Sequence, residues 1–162
     1  MKRQFIKALF LITVMSLLAC ALTSCFAPKA KTFTVADELK ITLTEAFMEK
    51  EIVGQTAMFQ STDVIVTVLL EEKSLIQRDL TVEQYAALVC SANGLDDSTV
   101  KIKDTYAEFS YEKTVSGKDY TYFAKCFKSE TGYWLVQFAC FRSAVDKQKD
   151  NIDTWTASIS FS

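Results

Sequence analysis

The sequence predicts an α+β domain in which a central antiparallel sheet carries helices on both faces. Three observations lead there. Long strand-patterned segments follow one another between Val100 and Phe141 with only tight turns between them. That is the connectivity of an antiparallel meander, not of parallel strands joined by crossover helices. One helical segment precedes this block and a second follows it, so both sheet faces have a candidate cover.

In chain order, residues 1 to 25 come first and read differently from the rest. Lys2, Arg3 and Lys7 give a positive start, and Ala8 to Leu22 is almost wholly apolar, broken only by Thr13 and Ser16. A charged start, an apolar run and small residues at the boundary are the grammar of a secretory signal peptide. A membrane-spanning helix would want about 20 consecutive apolar residues. Leu22-Thr23-Ser24-Cys25 resembles the lipobox of bacterial lipoproteins, in which the cysteine carries a lipid after cleavage. Leu17-Leu18-Ala19-Cys20 is a second candidate, poorer because Leu18 is bulky. The bland alternative is an uncleaved anchor helix. The resemblance implies a signal peptide over 1–24, lipidation at Cys25 (alternatively Cys20), a short tether over 25–32 and a single domain over 33–162. It places the domain on the extracytoplasmic face of the cell membrane, held by an N-terminal lipid. That face is the periplasmic side, or the outer membrane where the host has one.

In the domain, Phe33 to Val35 and Leu39 to Leu43 are predicted short strands. Thr56 to Gln60 and Val64 to Glu71 form a predicted hairpin turning at Ser61-Thr62-Asp63. The near-continuous apolar run Val64 to Leu70 predicts burial on both faces. Thr81 to Asn93 is a predicted helix. Thr81 and Gln84 make a capping box, Val82, Tyr85, Ala86 and Val89 recur at helical spacing, and Asn93-Gly94 supplies the stop. Three long strands follow: Val100 to Val115 with a bend near Asp104, Lys118 to Lys128, and Tyr133 to Phe141. A second helix over Ser143 to Ala157 turns Val145, Ile152 and Trp155 to one side, and Ile159 to Phe161 is a last strand.

Two turns set a register. Ser116-Gly117 suits a two-residue hairpin pairing Val115 with Lys118. Glu130-Thr131-Gly132 suits a three-residue turn with Gly132 left-handed, pairing Ser129 with Tyr133. Carried inward, these predict one face of Tyr111–Tyr122–Cys140, Phe109–Ala124–Phe138 and Ala107–Cys126–Val136. The opposite face becomes Glu112–Thr121–Phe141, Ser110–Phe123–Ala139 and Glu108–Lys125–Gln137, with Phe127 and Leu135 extending it.

The motifs Phe33-Thr-Val-Ala36, Ile41-Thr-Leu43 and Leu80-Thr-Val-Glu-Gln-Tyr85 come early in this series. Tyr111 to Tyr122, Trp134-Leu-Val-Gln-Phe138 and the last helix and strand complete it. Together they resemble the PsbP/DcrB-like α/β/α sandwich of small bacterial lipoproteins. Leu43 departs from that pattern, being followed by Thr44 rather than proline. The resemblance implies a fold and an accessory or binding role in larger assemblies; it transfers no functional residue.

Composition narrows the chemistry. The chain has no histidine, and its closest glycines, Gly117 and Gly132, are 15 positions apart. Ser-His-Asp and Cys-His catalysis, HExxH zinc sites and Gly-rich phosphate loops are therefore excluded. Residues 1–24 carry three basic and no acidic residues. A chain starting at Cys25 keeps 15 basic against 20 acidic, a net charge of −5. That sign disfavours nucleic acid as a partner.

The remaining candidates are few. Cys90, Cys126 and Cys140 read as small buried hydrophobes. In the derived register Cys126 and Cys140 are on the order of 13 Å apart along the strand direction, beyond the roughly 7 Å a disulfide spans. Ser98-Thr-Val-Lys101 spells SxxK, but entering a strand it cannot stack lysine under serine as a helix would. The acid pairs Asp37-Glu38, Glu71-Glu72 and Asp96-Asp97 fall at strand ends and loops, where solvation is the ordinary reading. Glu108, Lys125 and Gln137, framed by Phe123, Phe127 and Leu135, form the candidate binding face: a cross-strand polar row, or the floor of a groove.

These readings describe a lipid-anchored, non-enzymatic binding or accessory module of the cell envelope. Its expected partner is a protein or other envelope component, with no cofactor or metal. The alternative is a carboxylate-dependent enzyme acting on an envelope polymer or a small extracellular substrate. For that, two acids should converge in one cleft with a displaced pKa.

Overall fold

In a computed structural model, residues 28–76 and 78–162 are described. The signal segment, Cys20, Cys25 and the start of the tether lie outside them. In chain order the elements are β1 (Ala30–Val35), β2 (Leu39–Thr44), β3 (Met48–Lys50), β4 (Ala57–Gln60), β5 (Val64–Glu72) and α1 (Val82–Ala92). There follow β6 (Lys101–Ile102), β7 (Ala107–Val115), β8 (Lys118–Lys128), β9 (Gly132–Phe141), α2 (Val145–Ala157) and β10 (Ser160–Phe161). The fold is α+β with both faces of the main sheet covered, as the sequence predicts.

The strands form two antiparallel sheets rather than one. The main sheet runs β3-β4-β5-β9-β8-β7-β6, and β1-β2-β10 make a separate three-stranded sheet. The small sheet and α2 cover one main-sheet face. Phe33, Leu39 and Ile41 pack there with Val66, Phe138 and Ile152 in one buried cluster. The α1 helix covers the other face through Tyr85, Ala86, Val89 and Cys90, against Ala107, Ala124 and Cys126.

Local signals behave as their chemistry requires. Thr81 Oγ1 accepts from Gln84 N–H at 3.2 Å and Gln84 Oε1 accepts from Thr81 N–H at 3.0 Å, closing the capping box. Gly94 ends α1 at φ +67°, with Leu95 N–H on Cys90 C=O and Gly94 N–H on Ser91 C=O. This is the paired Schellman closure. Ser116 and Gly117 both take positive φ, and Val115 pairs Lys118 as predicted.

Several expectations are corrected. Strand β1 begins at Ala30, inside the predicted tether. Val100 to Val115 is not one bent strand but the β6–β7 hairpin, closed by Lys103 N–H on Tyr106 C=O at 2.8 Å. Strand β3 carried no recognisable pattern. Strand β5 alternates buried and half-buried residues instead of burying both faces fully.

The main correction is the β8–β9 register, which slips by one residue: Lys128, not Ser129, pairs Tyr133. Ser129 N–H reaches Gly132 C=O at 2.9 Å, so Glu130-Thr131 is a two-residue loop. Gly132 is not left-handed. It is required because a Cβ there would lie 2.6 Å from both Glu71 O and Leu70 Cδ1. The rows on the α1 side become Tyr111–Tyr122–Ala139, Phe109–Ala124–Gln137 and Ala107–Cys126–Leu135. Those on the α2 side become Ser110–Phe123–Phe138 and Glu108–Lys125–Val136.

Candidate functional site

The site begins with two neighbours on β7 and β8. Glu108 and Lys125 are register partners set by the Ser116-Gly117 turn, and both point toward the α2 side. Lys125 is 4% exposed, and its Nζ donates to Glu108 Oε2. Lys103, from the β6–β7 turn, takes the other carboxylate oxygen, with Nζ–Oε1 at 3.3 Å. The Tyr106 ring lies 5.5 Å from Lys125 Nζ, close enough for a cation–π contact. Burial alone would raise the Glu108 pKa. The hydrogen bond and charge of Lys125, then those of Lys103, outweigh it and hold the carboxyl below its ordinary range.

Helix α2 does not close over this pair. Between it and β6–β8 lies a cleft of about 560 Å³, with Glu108, Lys125 and Phe123 on its sheet side. Ile152, Lys149 and Asp153 of α2 form the opposite wall, and Ser98 and Lys101 stand at the β6 end. The volume falls within the range of about 300–1,000 Å³ typical of small-molecule sites.

Of the six residues predicted for the binding face, three line this cleft: Glu108, Lys125 and Phe123. Phe127 shares their face but is core, its ring 5.3 Å from Tyr106 and 5.7 Å from Phe161. Gln137 and Leu135 are corrected to the opposite face, because the one-residue slip inverts β9 relative to the prediction. Gln137 Nε2 donates to Tyr111 Oη at 3.1 Å, and Leu135 packs in the α1 cluster. The slip also places Cys126 and Cys140 on different faces; with Cys90 they are buried and free.

No family model matches the chain, and no curated protein matches it by sequence. Solved structures do. The solution structure of the cyanobacterial PsbP protein CyanoP from Synechocystis sp. PCC 6803 superposes with a TM-score of 0.52 at 11% identity. The match covers 85% of this chain and 95% of that one. A crystal structure from Bacteroides thetaiotaomicron VPI-5482 gives a TM-score of 0.58 at 10% identity, covering 82% of this chain and 48% of that one. The fold is PsbP-like. At these identities the likeness concerns backbone arrangement alone.

The sequence singled out Ser98 and Lys101 only for an SxxK motif. Ser98 lies in a 3-10 turn over Asp97–Thr99, and its N–H bonds Asp96 Oδ1 at 2.9 Å. That bond makes Asp96 a cap and holds its pKa down. Among the other acid pairs, Glu71 accepts from buried Tyr85 Oη at 2.6 Å, Glu72 from Ser74, and Glu38 from Thr131. These acids are engaged in local structure. Lys149 and Asp153 were missed because nothing in a solvated helix face tells which strand it will oppose. Among the described residues, no group of three or more acids and cysteines has metal-holding geometry.

Proposed function

We propose that this protein is a non-catalytic binding module, anchored by a lipid at Cys25 on the extracytoplasmic side of the membrane, that takes its partner through the α2 cleft. One observation carries the binding part. Among the described residues, Glu108 is the sole carboxylate on the cleft's sheet side, and each of its oxygens is engaged by a lysine. A general acid needs a raised pKa and a proton aimed at substrate; the Glu108 shift runs the other way. The anchoring part is supported by the basic start, apolar run and Leu22-Thr23-Ser24-Cys25 boundary.

Tagged protein recovered from cross-linked, solubilised membranes tests both parts. The expected result is a mature N-terminus at lipid-bearing Cys25 and a bound component lost from a Ser110→Trp variant, which fills the cleft. Intact Met1, or Cys25 without lipid, would sink the anchor. Repeated recovery of bare protein would count against the binding module.

A further inference from the structure

The cleft carries more charge information than a generic groove. Lys125 is 4% exposed and lines it, yet among the described residues its one hydrogen bond is to Glu108. An ammonium has three N–H donors. The Tyr106 ring faces the same group at 5.5 Å and can receive one of them, so a donor remains unmatched in a buried cation. Leaving such a donor unmatched is costly, and a ligand oxygen would satisfy it.

The surroundings have the same preference. Lys101 and Lys149 line the cleft, and neither makes an ion pair among the described residues. Three lysines, Lys101, Lys125 and Lys149, line the cleft against two acids, Glu108 and Asp153. This lining excess of one positive charge sits on a domain that is acidic overall. Low-dielectric walls concentrate such a field at the cleft. Half-buried Phe123 adds apolar surface beside the charges, with buried Ile152 behind the cleft wall.

We propose that the cleft binds a small organic anion, a carboxylate or phosphate ester with an apolar body. Its charged oxygens are received by Lys125, with Lys101 and Lys149 flanking, and its body lies against Phe123. This inference rests on the reading of the protein as a binding module and names the chemical class of what it binds.

The test uses the full chain in nanodiscs of zwitterionic lipid and follows the Ile152 methyl resonance. The probes are benzoate, phenyl phosphate, benzyl alcohol and inorganic phosphate. Benzoate or phenyl phosphate should shift the resonance saturably, and the tighter of the two identifies the head group. Benzyl alcohol and inorganic phosphate should each bind at least about tenfold more weakly, the loss of one charge-assisted or apolar contact set. Lys101→Glu with Lys149→Glu, both at exposed positions, should weaken binding of the anions by about tenfold or more and leave benzyl alcohol unchanged. Benzyl alcohol binding as tightly as benzoate would overturn the anion assignment while leaving a binding cleft. Inorganic phosphate binding as tightly as phenyl phosphate would overturn the apolar part. Silence from every probe would overturn the ligand class outright, and recovery of a membrane component lost on Ser110→Trp would then still stand for the binding module.

Discussion

Lys125 is buried against Glu108 across the β7–β8 pairing, with its ammonium on one carboxylate oxygen and Lys103 on the other. The pair is asymmetric in its exposure. The Lys125 side chain is 5% exposed and that of Glu108 20%, so the lysine has lost nearly all its hydration while the acid keeps some. A buried ion pair adds little net stability, but removing one partner strands the other.

Glu108→Gln should therefore cost about 3 kcal/mol in urea denaturation, the low end expected for a broken buried pair because Glu108 is partly hydrated. A loss under about 1 kcal/mol would mean that Lys125 rehydrates freely. The pH dependence follows from the direction of the shift. The folded Glu108 pKa lies below its ordinary value of 4.5. Its contribution is thus complete above that value and is lost as pH falls through the lower folded pKa. Stability of the native protein should decline on acidification below about pH 4.5, with a smaller slope in Glu108→Gln.

Gly132 and Gly117 should fail for different reasons when replaced by alanine. At Gly132 the new Cβ meets Glu71 O and Leu70 Cδ1 at 2.6 Å, so β5 and β9 must separate. The expected loss is about 1–3 kcal/mol, as for an overpacked site. At Gly117 nothing lies within 4 Å, and the cost is only that of φ +75°, about 1–2 kcal/mol. Trimming Leu70 to alanine should relieve part of the first loss and none of the second in thermal denaturation.

These two glycines also mark how far the sequence could be read. Ser116-Gly117 is a turn whose requirement is local, so the Val115–Lys118 pairing and the Glu108–Lys125 pair followed from it. Gly132 serves a contact with Glu71, 61 positions away, and its apparent turn signal misled the register by one. Apolar matching could not reveal the error, because β9 is buried on both faces from Gly132 to Cys140 except at half-buried Gln137. Hence Gln137 and Leu135 were placed on the wrong face. The α1 caps were legible for the same local reason as the first turn. The α2 wall of the cleft was not, since the opposition of Lys149 and Asp153 to β6–β8 is tertiary.

Tyr133→Phe should loosen the entry to α1. The Tyr133 hydroxyl accepts from Leu80 N–H at 2.6 Å and lies 3.2 Å from Asp79 Oδ1, while Lys128 bridges Asp79 and Leu80 C=O at 2.8 Å each. Without the hydroxyl, the Leu80 N–H is buried and unpaired, a loss of about 1–3 kcal/mol. Hydrogen exchange at Leu80 and through the first turn of α1 should accelerate more than at α2. Equal acceleration in both helices would show that the hydroxyl holds the whole domain and not this junction.

The three core thiols should be chemically silent in the folded protein. Burial pushes Cys126 up to about 12, with smaller contributions from Cys90 and Glu71, and burial likewise raises Cys90 and Cys140. The thiolate is the reactive form, so at pH 8 iodoacetamide has almost none to attack and no path to reach it. In folded protein Cys90, Cys126 and Cys140 should stay unmodified over hours and react fully once denatured, as peptide mass spectrometry can show. Glu71→Gln changes the electrostatics near Cys126 without opening the core, and labelling there should remain negligible. Labelling of Cys126 in the native wild type at a rate near that of a free thiol would require α1 to lift from the sheet. It would contradict the packing of Tyr85, Ala86 and Cys90 over Ala124 and Cys126.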